Sequence, residues 1–410
     1  MSLAAAAPRS PMACRPFLLF WCARVAATVA FQMQAVAVGW QLYELTGDPL
    51  DLGLVGLTMF VPVVGLSLLV GHVADRYDRR LIIAVCFAVE ALAALALAAG
   101  SAGGWVERDV ILALVLVVGS CRAFELPSMQ ALVPALVPAP LLSRAVAAST
   151  SANQTAIIAG PALGGVLYLA GPAVVYAVCA GMFVVAGTFV ALIRIDLPPQ
   201  HRAPATLASL FAGFGYIRAR RALLGVVSLD LFAVLLGATM ALLPIYARDV
   251  LATGPWGLGI LRSAPAVGAL ASAVFLARRP LQRRAGLIMF AAVIGFGAAT
   301  VVFALSTSLI LSVVALALLG GCDAVSVVIR LSLVQIETPD EMRGRVSAVN
   351  AMFIGTSNTL GDFRAGLAAA WLGTVPAALV GGLCTLAVAL LWMRLFPELV
   401  RQQSLEPGRG

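Results

Sequence analysis

Gly71-His72-Val73-Ala74-Asp75-Arg76-Tyr77-Asp78-Arg79-Arg80 separates two long apolar runs, and the reading of this stretch decides what kind of protein the chain is. The sequence is almost wholly apolar from about Leu50 to Ala74, and again from Leu81 to Ala99 apart from Glu90. As helices, both runs are long enough to cross a hydrocarbon layer of about 30 Å. Five charges in six residues, Asp75, Arg76, Asp78, Arg79 and Arg80, then form a tight turn between two spanning helices, and its three arginines predict the cytoplasmic side. Gly71 allows close helix approach, and Asp78 is a natural N-cap for the helix that Arg79 and Arg80 begin.

Composition extends this reading to the whole chain. With 61% hydrophobic and 11% charged residues in 410, and a mean hydropathy of +1.01, a soluble domain is excluded and a polytopic membrane protein is expected. At about 20 residues per span, twelve apolar runs fit, near 16–43, 50–74, 81–100, 109–135, 144–169, 172–193, 222–247, 257–277, 285–305, 308–334, 344–371 and 376–396. The first fifteen residues lack a long apolar core, so no secretory signal peptide is expected. The chain has no lysine, which excludes a Walker A phosphate loop. Its two histidines, His72 and His201, are too few and too far apart to suggest a zinc site, so no metal is expected. Six of the seven cysteines fall inside apolar runs without paired spacing and read as small core residues.

Positive charge is distributed by topology. With both termini in the cytoplasm, twenty arginines fall in inside segments and two, Arg108 and Arg248, outside. Asymmetry of this kind orients a multi-pass protein in the inner membrane of a bacterium. It also accounts for the pI near 9.5 without nucleic acid, leaving the lipid bilayer and a small molecule as expected partners.

The longest connection, 194–221, lies mid-chain. Leu207, Leu210, Phe211, Phe214 and Ile217 recur there at helical spacing before Arg218, Arg220 and Arg221, which predicts an amphipathic helix on the cytoplasmic membrane surface. A shift of 201 residues superimposes Gly119 on Gly320, Cys121 on Cys322, Arg144 on Arg345, Gly160 on Gly361 and Gly165 on Gly366. The expected domains are therefore a six-helix bundle over 1–193, the linker 194–221, and a second six-helix bundle with its tail over 222–410.

Ten ionisable residues fall within the predicted spans: Arg24, Glu90, Arg122, Glu125, Asp230, Arg262, Asp323, Arg330, Asp362 and Arg364. A charge facing lipid is expensive, so these should face protein or a watery cavity. Arg122 and Glu125 are three apart on the fourth span and share a face. They read either as a structural brace or as a proton or substrate site, since alternating the partners of a buried carboxylate alternates its proton affinity. Asp323 and Arg330, two turns apart on the tenth span, repeat the combination. Helix 5 carries Gly160-Pro161-Ala162-Leu163-Gly164-Gly165, which alone reads as a kinked packing face.

Gly71, then Asp75-Arg76, then Arg79-Arg80 resembles the signature between the second and third helices of the major facilitator superfamily. Resemblance then covers nearly the whole chain: WQLYELTGDPLDLGLVGL from Trp40, RAFELP from Arg122, GPALGG from Gly160, SLDLFAVLLGATMALLPIYARDVL from Ser228, GLGILRSAPAVGAL from Gly257, TPDEMRGRVSAVNAMFIGTSN from Thr338 and LGDFRAG from Leu360 are similar to the drug/proton antiporter-3 family. This likeness implies an all-α membrane protein of twelve transmembrane helices, two six-helix bundles related by a pseudo-two-fold repeat, acting as a monomer. Helices 1, 4, 7 and 10 would line a central cavity.

By the same likeness the chain would be no enzyme but a proton-coupled exporter of a siderophore or drug, needing no cofactor beyond protons. An importer on the same fold, or a sensor without turnover, are the alternatives. Glu125, Asp230 and Asp323 are the expected proton-coupling residues; Arg24, Gln32, Gln34, Arg122 and Arg330 the expected cavity residues. Gly71, Asp75, Arg76, Asp78, Arg79 and Arg80 would form a cytoplasmic gate motif, and Gly160, Pro161, Gly164 and Gly165 an antiporter-like motif. Thr338 to Glu341 reads as a capping box whose helix end could receive Asp75.

Overall fold

In the computed structural model, residues 10–66, 69–70, 73, 76–195, 207–279 and 284–402 are described, with backbone alone for 207–211. Every regular element among them is helical. Inside a bilayer, helices satisfy their own backbone hydrogen bonds, so runs of this length and hydropathy have little alternative.

The helices are α1 (Arg15–Thr46), α2 (Pro49–Gly65), α3 (Arg79–Gly103), α4 (Arg108–Leu136), α5 (Leu142–Leu167), α6 (Pro172–Ala191), α7 (Leu207–Ala219), α8 (Arg221–Gly237), α9 (Gly254–Arg278), α10 (Ala285–Leu305), α11 (Leu309–Ile336), α12 (Asp340–Leu372) and α13 (Thr374–Leu395). Among the described residues nine helices are long and apolar enough to cross a membrane, the segment Arg221–Val250 counted as one. The remaining three of the twelve spans are α2, which is shorter, and α5 and α12, which carry more polar residues.

Contacts divide the chain into two units. The first comprises the chain up to Val38 and from Val61 into the central connection; the second takes Gly39–Phe60 and everything from Ala205. Within the first, α3 packs on α4 and α6; within the second, α10 packs on α11 and α13, the same arrangement one repeat later. The turns α5–α6 and α12–α13 also correspond: Gly171 and Gly373 both hold positive φ, at 103° and 88°, which other residues adopt only with strain.

Segment 39–60 belongs to the second unit through close helix contacts. A side chain at Gly53 would begin 3.0 Å from the Phe363 carbonyl of α12, and one at Gly366 would begin 2.9 Å from Gly53. Tyr43 donates its hydroxyl hydrogen to Asp249, and Arg248 donates to the Tyr43 carbonyl at 3.1 Å while lying over its ring.

One expectation gains detail in three dimensions and one changes. Helix α7 forms where the periodicity places it; one face packs on protein, while Phe214 stays exposed. Ile217 is buried with Leu223, Val346 and Val349, and a side chain at Gly213 would begin 2.7 Å from the Arg345 carbonyl. Thr338 does not cap α12. Its hydroxyl donates to the Val334 carbonyl one turn back at 2.5 Å, and α12 begins at Asp340, where Asp340 pairs with Arg343 at 2.5 Å.

Candidate functional site

Two clusters of charge sit inside the bundles, one in each unit. In the first, α4 places Arg122 and Glu125 on one face, and Arg122 Nη1 donates to both carboxylate oxygens, at 2.9 and 3.1 Å. The Glu125 side chain is 2% exposed and that of Arg122 17%. Phe31 of α1 lies beneath the guanidinium at 4.2 Å, a cation–π contact of about 2 kcal/mol where water is excluded.

Helix α5 brings up a polar seam against α1. Arg24 Nη1 donates to Ser149 Oγ at 2.9 Å and lies within electrostatic range of Glu125 and Arg122. Thr28 donates to Asn153 at 3.1 Å. The helices approach closely through the antiporter-like motif: side chains at Gly160 and Gly164 would begin 2.6 Å from Gln32 Cβ and 2.8 Å from Met33 Cα. Pro161 lies between them inside α5, and Gly165 is buried. Gln32 is thus held in a helix contact. Gln34 is buried, and its Oε1 has no hydrogen-bond partner among the described residues.

In the second unit Arg330 of α11 stands between two acids. It forms an ion pair with Asp230 of α8, both side chains being nearly buried, and its Nη2 lies 3.6 Å from Asp323, which is 44% exposed. Its Nε donates to the Ser326 carbonyl at 3.3 Å. Asp323 also faces a cavity of about 310 Å³, whose other polar walls are Thr239, Asn358 and Asp362.

That cavity exists because the seventh span is broken. Helix α8 stops at Gly237, Ala238 and Thr239 are not helical, and the chain resumes as a 3₁₀ turn at Met240–Leu242 and a π turn at Tyr246–Val250. Backbone groups freed in a membrane need partners. Arg364 donates to the Ala238 carbonyl at 3.2 Å, and Asp362 accepts from the Ala241 N–H at 3.3 Å. The LGDFRAG stretch therefore braces an unwound segment at the wall of a cavity.

Of the gate motif, Gly71 and Asp75 lie outside the described residues. Arg76 is exposed. Asp78 caps α3 by accepting from the Arg80 N–H at 2.8 Å, and the Arg80 side chain paired with it at 2.5 Å holds its carboxyl below the ordinary range. Arg79 and Arg80 reach the Ala131 and Ile193 carbonyls at 3.2 and 2.8 Å, tying the start of α3 to α4 and to the end of the sixth span.

Residues 6–406 match the family model described as transmembrane secretion effector. The chain belongs to that family, within the major facilitator superfamily. Secretion effectors similar to it include the enterobactin exporter EntS of Salmonella paratyphi A and that of Escherichia coli O139:H28, each 28% identical over 399 residues, covering 95% of this chain and 94% of the relative. The fold of this secretion effector is shared by the nucleoside transporter NupG (TM-score 0.71, 16% identity, 93% of this chain and 99% of that one) and by a bacterial homologue of the iron transporter ferroportin in its inward-facing state (0.71, 17%, 95% and 99%). The chain is a multi-pass major facilitator transporter of the exporter type, not an enzyme.

Sequence reasoning passed over several residues of this transmembrane secretion effector's two clusters. Phe31 and Ser149 look like ordinary core and packing positions in a linear reading. Asp362 and Arg364 were visible as charges in a span, and Gly237 and Pro244 bracket the break in the seventh span, but that the two charges brace it depends on the fold.

Proposed function

We propose that this protein is a proton-coupled secondary exporter of the bacterial inner membrane, both termini cytoplasmic, moving a small amphipathic molecule of the siderophore or drug class by alternating access. The observation that carries the reading is the Arg122–Glu125 pair, almost wholly buried and contained within one helix. Protonating the buried carboxylate removes the arginine's counter-charge, and the guanidinium must then find another acid or an electronegative ligand, because a buried unpaired charge costs several kcal/mol. Proton uptake on Glu125 and release of Arg122 are therefore linked. Arg122 and Arg24 then become available to an electronegative substrate, and Gln32 lies on the same wall of α1.

In the second unit Asp323 is the group able to exchange protons, because it opens to the cavity while Asp230 is sealed against Arg330. Enterobactin, which the relatives named above export, is the first substrate to try. Arginine side chains and the Phe31 ring suit an electronegative amphipathic molecule. The twenty-to-two distribution of arginines supports the orientation.

The test is transport in proteoliposomes with an imposed pH gradient, with enterobactin as one probe and a lipophilic cationic dye as the other. Accumulation of either against its own gradient, abolished when the pH gradient is collapsed, is expected. Movement indifferent to the pH gradient would leave a facilitator and remove proton coupling.

A further inference from the structure

Among the described residues, Glu90 is the buried acid of the first unit that neither the ion pair nor the polar seam accounts for. It lies in the middle of α3, its side chain is wholly buried, and neither carboxyl oxygen has a hydrogen-bond partner among the described residues. A buried carboxylate without a partner is among the most costly arrangements in a protein interior, whereas the uncharged acid is tolerated.

Its place in the bundle is specific. Helices α3 and α4 meet where Cys86 and Cys121 pack in one buried cluster. The two helices run antiparallel through a short connection, so Glu90, four residues beyond Cys86, lies about 6 Å toward that connection. Glu125, four residues beyond Cys121, lies about the same distance the other way. Arg122 is next to Cys121, between the two acids, and interacts electrostatically with both. The charged and titratable groups facing Glu90 are Cys121, Arg122 and Glu125 of α4, with Cys86 on its own helix. From α6, the groups meeting α3 at Phe87 are Phe183 and Gly187, which carry no charge.

We propose that Glu90 is a second proton carrier of this transporter, exchanging roles with Glu125 as the partner of Arg122. With Arg122 on Glu125, Glu90 holds the proton. In the other state the O–H bond on Glu90 has broken and one on Glu125 has formed, and the guanidinium has swung along the α3–α4 contact to follow the negative charge. Each of the two states holds one arginine, one carboxylate and one carboxylic acid and is neutral; the trio departs from neutrality only between release of a proton from Glu125 and uptake of one by Glu90. The swing requires only rotation of a long side chain, and no helix has to move. Glu90 is recharged from water on one side of the membrane, and Glu125 discharges to the other.

This inference rests on proton coupling through Glu125, yet one arm of its test is independent of transport. Infrared difference spectra of the lipid-reconstituted protein at neutral pH should show a buried carboxylic-acid band in the wild type that Glu90→Gln removes. The same band should be lost in Glu125→Gln, because Glu90 must then ionise to balance Arg122. A band unchanged by Glu90→Gln would overturn the proposal. In proteoliposomes, Glu90→Gln should fold with wild-type thermal stability and lose pH-driven enterobactin transport at least ten-fold while keeping counterflow exchange. Wild-type pumping by the well-folded variant would equally overturn it. If wild-type protein shows no pH-driven transport but the infrared bands behave as expected, the exporter reading fails and the proton on Glu90 stands.

Discussion

The two buried arginines are held in opposite ways. Arg122 and its carboxylate sit three residues apart on one helix, with Glu90 on the neighbouring helix lacking a hydrogen-bond partner among the described residues. Arg330 joins Asp230 of α8 to Asp323 of its own helix. Arg122 is 17% exposed and bound to one acid of its own helix, so side-chain rotation can release it, whereas Arg330 is nearly buried and held by acids of two helices at once. On the proposal above, the first arrangement is a switch; the second is a brace between α8 and α11. A small outlier to the brace is Asp323, which is 44% exposed and lines the cavity, while Asp230 is nearly buried against Arg330.

The sharpest way to break this comparison is to remove each arginine in turn. Arg330→Met leaves two acids facing each other with no cation, one of them sealed. It should cost about 3–5 kcal/mol, seen as poor expression and early melting. Arg122→Met leaves Glu125 free to neutralise itself by taking a proton, so it should melt nearer the wild type and fail in transport instead. Equal thermal losses in the two variants would remove the distinction between switch and brace.

A smaller effect should come from the scaffold that holds Arg24 and Gln32 in place. Gly164→Ala puts a methyl group 2.8 Å from Met33 Cα, a backbone position that cannot yield easily. It should destabilise by about 1–3 kcal/mol and slow transport by shifting α1, measured by thermal unfolding and by efflux rate. At Gly181 a methyl group meets open space, and Gly181→Ala should be neutral or slightly stabilising.

The smallest effect is at the α3 cap. Asp78→Ala should cost about 1 kcal/mol, less what solvent screening removes at this partly exposed site. The Asp78 carboxyl titrates lower when folded than when unfolded, because Arg80 holds the charged form. Its contribution is thus fully present above the unfolded carboxylate range and fades as pH falls through the lowered folded value. Wild type and variant should converge in acid and separate near neutrality.

How much of this was legible in the chain depends on how local the cause is. The bilayer fixes the length of each apolar run, so the order of the spans could be read from hydropathy, most plainly for the nine longest and most apolar among the described residues. Asp78 before two arginines is a cap that needs only its own neighbours, and the Arg122–Glu125 pair needs only helical periodicity. Distant partners were not legible. Asp323 and Arg330 could be paired by spacing, but the contact that seals Arg330 comes from Asp230, a hundred residues earlier. The break after Gly237 is stabilised by Asp362 and Arg364 from α12. Thr338 satisfied a cap pattern, but the preceding helix runs far enough for its hydroxyl to bond one turn back. Glu90 was visible as a lone acid in an apolar run; that both its oxygens lack partners only the fold could show.

One comparison in proteoliposomes decides between switch and brace as the seat of proton coupling: Glu125→Gln against Asp230→Asn, each assayed for enterobactin accumulation under an imposed pH gradient and for counterflow without one. Glu125→Gln should lose gradient-driven accumulation while keeping counterflow, and Asp230→Asn should lose thermal stability while the folded fraction still accumulates substrate. A folded Glu125→Gln protein that pumps at the wild-type rate, or an Asp230→Asn protein that folds normally but is uncoupled, would contradict the account and move proton coupling to the second unit.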